Sequence, residues 1–193
     1  RRRSSLVLLF TTATLSIGYT NVNLGAAATA TATLTGTGTA PIAVYAGAFN
    51  TCIINELQQA TCWGSNTYGQ TGTGSTNALS KTPQQLGKIN LGAQAVVRKL
   101  AVGAHHVCAL VKTPSREGLV TCWGENMNGR LGTGSASPAI LTQPTLDGTG
   151  YPVAVNFGND PSTSAPYEAV DLSAGFEHTC AILADGKVKC WGG

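Results

Sequence analysis

Wherever a regular pattern of polar and apolar positions can be read in this chain it has a period of two, the spacing that sends successive side chains to opposite faces of a strand. Thr29-Ala30-Thr31-Ala32-Thr33-Leu34-Thr35 alternates in this way, and Leu6, Leu8 and Phe10 fall on one side of an extended segment. Near the carboxyl end, Cys180-Ala181-Ile182-Leu183 runs into Ala184-Asp185-Gly186, and Lys187-Val188-Lys189-Cys190 runs back. A three-residue hairpin loop commonly ends in the left-handed region, where glycine carries no steric penalty, and Gly186 holds that place. Pairing outward from the loop sets Leu183 opposite Lys187 and Cys180 opposite Cys190.

The same arrangement recurs along the chain. Cys62-Trp63-Gly64, Cys122-Trp123-Gly124 and Cys190-Trp191-Gly192 follow one another at steps of 60 and 68 residues. Each is preceded by a matched block: Ala46 to Cys52, Val102 to Cys108, and Ala174 to Cys180. Two copies carry a further block after the tryptophan, Asn66 to Gly74 and Asn126 to Gly134. Matched positions in fixed order identify repeats, and repeats take precedence over any single motif. In the second copy a longer loop, Thr113 to Glu117, still leaves Cys108 opposite Cys122, and the first copy has the spacing of the third, so Cys52 faces Cys62. Directly opposed strand residues have Cα atoms about 4.5 to 5.5 Å apart, within reach of a disulfide. One bridge per repeat accounts for all 6 cysteines, one choice among about fifteen connectivities. Zinc is the competing use of cysteine, but it favours close pairs such as C-x2-C, and the chain has none. Disulfides persist in oxidising compartments, which predicts a secreted or cell-surface protein.

Composition narrows the class. Charged residues are only 11% of the chain and glycines number 24, which disfavours a helical bundle or a charge-rich disordered tail and suits an all-β chain with many tight turns. The net charge of +3 is matched by Arg1, Arg2 and Arg3. With no basic stripe elsewhere, nucleic acid is not an expected partner. The basic start, the apolar Leu6 to Phe10 run and the small residues Ala26 to Ala28 have the layout of a secretory signal, while the alternation of Leu6, Leu8 and Phe10 reads better as a strand. The run is too short and too diluted by threonine for a stable membrane span. No Asn-x-Ser/Thr sequon occurs.

From Gly103 to Gly134 the chain reads Gly-x-x-His-x-Cys-Ala-Leu, a turn, and then Cys-Trp-Gly-x-Asn-x-x-Gly-Arg-Leu-Gly-x-Gly. This resembles the regulator of chromosome condensation repeat. The resemblance covers residues 42–193, with a divergent stretch at 136–166. It implies a β-propeller, typically of about seven four-stranded blades in that family, whose stacked sheets share their core; the cysteine-bearing form is similar to extracellular members. Asn50 and Thr71 depart from the pattern, Asn50 standing where the other two copies have His and Thr71 where the other block has Leu131. Trp63, Trp123 and Trp191 are then packing residues, and His106 and His178, just before a core strand, are structural histidines rather than ligands or bases. The glycine-rich blocks are not a phosphate loop, because nothing helical follows Gly74 or Gly134.

The expected organisation is therefore an all-β partial propeller of about two full blades plus a half blade, over residues 41–96, 97–167 and 168–193, after a Thr- and Ala-rich extended segment over 1–40. A half blade has an open edge, which is an aggregation hazard, so either the protein continues or another chain supplies strands. Residues 24–40 are a candidate strand for such an edge, in this chain or a neighbouring one; a linker bearing O-linked glycan on Thr or Ser is the alternative. No nucleophile with a base, paired carboxylates or metal cluster can be assembled, so no catalytic residue, cofactor or metal is expected. Guanine-nucleotide exchange, suggested by the family's founding member, belongs to an intracellular protein, and fold alone does not transfer function. The preferred expectation is a non-enzymatic extracellular structural or assembly protein, a filament or surface-appendage subunit, whose partner is itself or a larger complex. The alternative is a secreted module that binds a protein or glycan through loops such as Thr113 to Glu117 and 136–166.

Overall fold

Short alternating runs separated by turn residues pair first with their neighbours in sequence, because closing a short loop costs the least entropy. The computed structural model describes residues 12–20, 27–35, 41–77, 87–135 and 139–193. Strands β3 (Pro41–Ala46), β4 (Asn50–Asn55) and β5 (Ala60–Gly64) form one antiparallel sheet. A second contains β6 (Val96–Val102), β7 (His106–Lys112), β8 (Leu119–Glu125) and the two-residue β9 (Ile140–Leu141). The third contains β10 (Ala169–Ala174), β11 (His178–Leu183) and β12 (Val188–Gly192). Each is a meander in sequence order, and together they are blades of an all-β partial propeller. Among the described residues only the middle blade has a fourth strand.

The hairpin register places Cys180 opposite Cys190, with Gly186 at a φ of 83°. In the first blade the equivalent turn puts Gln58 into the left-handed region at a φ of 56°. The first strand of every blade also carries a register shift at the same point, at Pro41/Ala43, Val97/Lys99 and Ala169/Asp171. Nothing in the composition of those positions announces it.

The core is explained by the period of two acting on a strand that is covered twice. In β7, Val107, Ala109 and Val111 point to the first blade, where they meet Cys52, Ile54 and Cys62. Their neighbours Cys108 and Leu110 point the other way, into a second cluster with Leu172, Ala181 and Leu183. The middle blade is therefore buried on both faces. Among the described residues the third blade is covered on one face only, and Ile182 and Val188 are exposed on the other.

The long divergent stretch between β8 and β10 is ordered by two carboxylates. Asp147 accepts hydrogen bonds from the backbone of Thr149 and Tyr151, and Asp160 from that of Ser162. These turns hold both carboxyls below the usual aspartate range, chiefly through the Thr149 and Ser162 hydroxyls. Val155 N–H donates to the Val120 carbonyl at 2.7 Å, and Val155, Phe157 and Tyr167 pack on the second core cluster. Much of this stretch is thus packing material rather than a free loop. The loop from Thr113 to Glu117 is also tied down, by an Arg116–Glu168 ion pair at 3.0 Å.

The amino-terminal segment gives a correction. Residues of the Thr-Ala run do form a strand, β2 (Ala27–Thr35), but its partner is β1 (Thr12–Thr20), in register from Thr12 opposite Thr35 to Thr20 opposite Ala27. Among the described residues β2 pairs with β1 and with no blade edge of this chain. Leu6, Leu8 and Phe10 lie outside the described residues. No helix of the described residues is long and apolar enough to cross a membrane.

Candidate functional site

In an antiparallel blade the turn from first to second strand and the loop leaving the third strand lie at the same end. That end, the rim, collects residues 47–50, 103–106 and 175–178 with the glycine-rich blocks after Trp63 and Trp123. The blocks themselves are built by asparagine. Asn66 Oδ1 accepts from the Thr71 amide at 3.1 Å and its hydroxyl at 2.7 Å, and Asn126 Oδ1 accepts from the Leu131 amide at 3.1 Å. The Asn66 bond to the hydroxyl explains how Thr71 is buried where the second copy has leucine.

Each block is a receptor for the next blade. The Trp123 indole N–H donates to the Gln70 carbonyl at 2.9 Å, and the Trp191 indole N–H to the Arg130 carbonyl at 3.0 Å. Gln70 and Arg130 hold the same place in their blocks. Gly72, at a φ of 70°, has no room for a side chain, since a Cβ would lie 2.9 Å from the Trp123 indole nitrogen. Trp123 is fully buried, whereas Trp63 and Trp191 are partly covered.

The two repeat histidines differ. His106 is buried and its Nε2 is 2.8 Å from the Thr179 hydroxyl across the blade interface. Burial above all, and then the charge of Arg130 and the adjacent imidazoles, lowers its pKa to about 4. His178 is exposed rather than part of a core, because no sheet is stacked on its side of the third blade among the described residues. Cys52–Cys62, Cys108–Cys122 and Cys180–Cys190 are disulfides, with Cα separations of 4.1, 4.0 and 4.1 Å.

A charged and aromatic cluster runs across the rim. Arg130 Nη1 is 3.0 Å from Glu125, and its Nη2 lies 3.4 Å from Glu177, an ion pair without a hydrogen bond. His105 Nδ1 faces Glu125 at 3.8 Å. The His105 ring sits among Phe49, Tyr68 and Phe176, with centroid distances of 5.5, 4.6 and 6.4 Å. Sequence reasoning missed this cluster because Glu125 and Glu177 fall in different repeats at non-equivalent positions; Arg130, a motif residue, was the available signal. Among the described residues no group of three or more His, Cys, Asp or Glu could hold a metal ion.

Family models described as the regulator of chromosome condensation (RCC1) repeat match residues 42–70, 169–193 and 62–110. The chain carries RCC1 repeats over residues 42–110 and 169–193. Over 152 residues it is 26% identical to the ultraviolet-B receptor UVR8 of Arabidopsis thaliana, covering 78% of this chain and 29% of the receptor. It is 28% identical over 151 residues to the human E3 ubiquitin-protein ligase HERC2, covering 78% of this chain and 3% of the ligase. The solved structure of Prp20p from Saccharomyces cerevisiae, reported with its binding properties to Gsp1p and histones, superimposes with a TM-score of 0.57 at 19% identity over 79% of this chain and 33% of its own. The RCC1 repeats here thus span less than a third of the length of these curated relatives. The tryptophan-to-carbonyl contact is the joint between successive RCC1 repeats in this chain, and the rim is where the blocks that make it come together.

Proposed function

We propose that this chain is a non-enzymatic protein-interaction module of an extracellular protein, and that the rim is its recognition surface. The observation that carries the reading is the rim cluster: Phe49 and Phe176 are 55% and 59% exposed on rigid turns, and exposed aromatics on a rigid scaffold are characteristic of protein-binding sites. The three disulfides support an oxidising compartment. Relatives that act on other proteins lend the module class its plausibility, since Prp20p is described by its binding to Gsp1p and histones. A photoreactive residue at position 49 or 176, in the secreted protein, is expected to crosslink a partner protein that the same probe at Leu57, in the opposite turn, does not reach. Crosslinks confined to position 57 would overturn the reading.

A second reading, an assembling structural subunit, is favoured by the exposed Val170, Ile182 and Val188 on the third blade. It expects the mass in sedimentation to rise with concentration. A constant monomer mass would remove it.

A further inference from the structure

The rim presents negative charge inside an aromatic frame. Arg130 is only 1% exposed and directs its guanidinium at Glu125 and Glu177, so its positive charge does not reach solvent. The Glu177 carboxylate does, with its side chain 43% exposed. Its contact with Arg130 is an ion pair at 3.4 Å without a hydrogen bond, which leaves its lone pairs available to another donor. Glu125, by contrast, is nearly buried and held by Arg130 at 3.0 Å. Two carboxylates against one guanidinium leave the cluster with an excess negative charge. Phe176 is the chain neighbour of Glu177, and its ring lies around His105 with those of Phe49 and Tyr68. Aromatic faces attract cations through their quadrupoles, and a carboxylate next to such a face fixes where the cation sits.

We propose that this patch docks an arginine side chain on an extended segment of the partner protein, stacked on Phe176 and donating to the free oxygens of Glu177. Arginine fits better than lysine because its planar guanidinium stacks on a ring while its edge meets a carboxylate. The proposal rests on the rim being the recognition surface, and it specifies the chemistry of what binds there. His105 fills the middle of the frame and holds Phe49, Tyr68 and Phe176 apart, so the surface offered to the ligand is preorganised. Preorganisation reduces the ordering cost of binding.

The test uses the whole chain and blocked tripeptides, Gly-Arg-Gly, Gly-Lys-Gly and Gly-Glu-Gly, followed through the ring signals of Phe49, His105 and Phe176 by nuclear magnetic resonance. Gly-Arg-Gly is expected to move these signals with a dissociation constant on the order of 1 mM, Gly-Lys-Gly more weakly, and Gly-Glu-Gly not at all. Glu177→Gln and Phe176→Ala, both at exposed positions, are each expected to weaken the arginine peptide by about threefold or more, read from the movement of the Phe49 and His105 signals on titration. An equal response to Gly-Glu-Gly, no response to arginine, or unaltered binding by Glu177→Gln overturns the proposal. If position 176 crosslinks a partner while the arginine peptide fails, the cation chemistry is wrong and the rim surface stands. If both fail, the rim is not the recognition surface.

Discussion

His106 and Gln58 are single residues whose settings have measurable consequences. His106 has a pKa of about 4 in the folded chain, against 6.5 as its ordinary value. Well above pH 6.5 neither folded nor unfolded chain protonates it, and its contribution to stability is fully present. As the pH falls from there toward 4, the unfolded chain takes up a proton that the folded chain refuses, and stability drops by about 1.4 kcal/mol per pH unit, about 3 kcal/mol in all. Denaturant unfolding between neutral and mildly acid pH should show that slope, and His106→Gln should remove most of it. Gln58 sits in the left-handed region without being glycine, while Gly186 occupies the same place in the third hairpin with open space around it. Gln58→Gly is expected to raise the denaturation midpoint slightly, and Gly186→Ala to destabilise by about 1 kcal/mol through backbone strain alone. An Ala variant as stable as the parent would refute this account of the turn.

Blades are joined through the Trp123 and Trp191 indoles, alongside backbone hydrogen bonds such as those from Val97 to Gln58 and from Ala104 to Phe176. Trp123→Phe removes the donor to the Gln70 carbonyl and leaves a void in the first core cluster, with an expected cost of about 2–4 kcal/mol. Trp63→Phe, at a partly covered position, is expected to cost clearly less, and thermal melts of the two variants compare them directly. The hairpins were legible in the sequence because their register depends only on turn length and on nearby residues, the paired cysteines being 10 or 14 positions apart; Gly186 and the Cys180–Cys190 pairing are local quantities. The strand β9 was not, since two residues, Ile140 and Leu141, carry no periodicity and take their place from the block that precedes them. Likewise β1 could not be chosen as the partner of β2 from alternation alone, because a period of two states which face a residue occupies and says nothing of what lies alongside. The rim cluster was the least legible. Arg130 has Gln70 as its counterpart, and Glu177 has His105, so the ion pairs are properties of one junction rather than of the repeat.

Stacking makes the molecule uneven in its exposure to solvent chemistry. Cys108 and Cys122 are buried between blades, whereas Cys180 is partly covered and Cys190 is exposed. Under mild reductant, alkylation followed by mass spectrometry should find Cys180 and Cys190 labelled first and Cys108 and Cys122 last; simultaneous labelling would show that the blades open together. Each bridge closes a small loop and by chain entropy is worth about 2–3 kcal/mol, so losing the outer one should loosen the third blade before the second. The receptor for the Trp123 and Trp191 indoles is a backbone carbonyl, which every amino acid supplies, and Gln70 and Arg130 already show two unlike side chains at that place. Genetic recombination between neighbouring copies, adding or removing one unit from tryptophan to tryptophan, would therefore preserve every joint it touched, and a gene of this kind is free to vary its number of copies while the side chains at the joints drift toward whatever the rim is selected to hold.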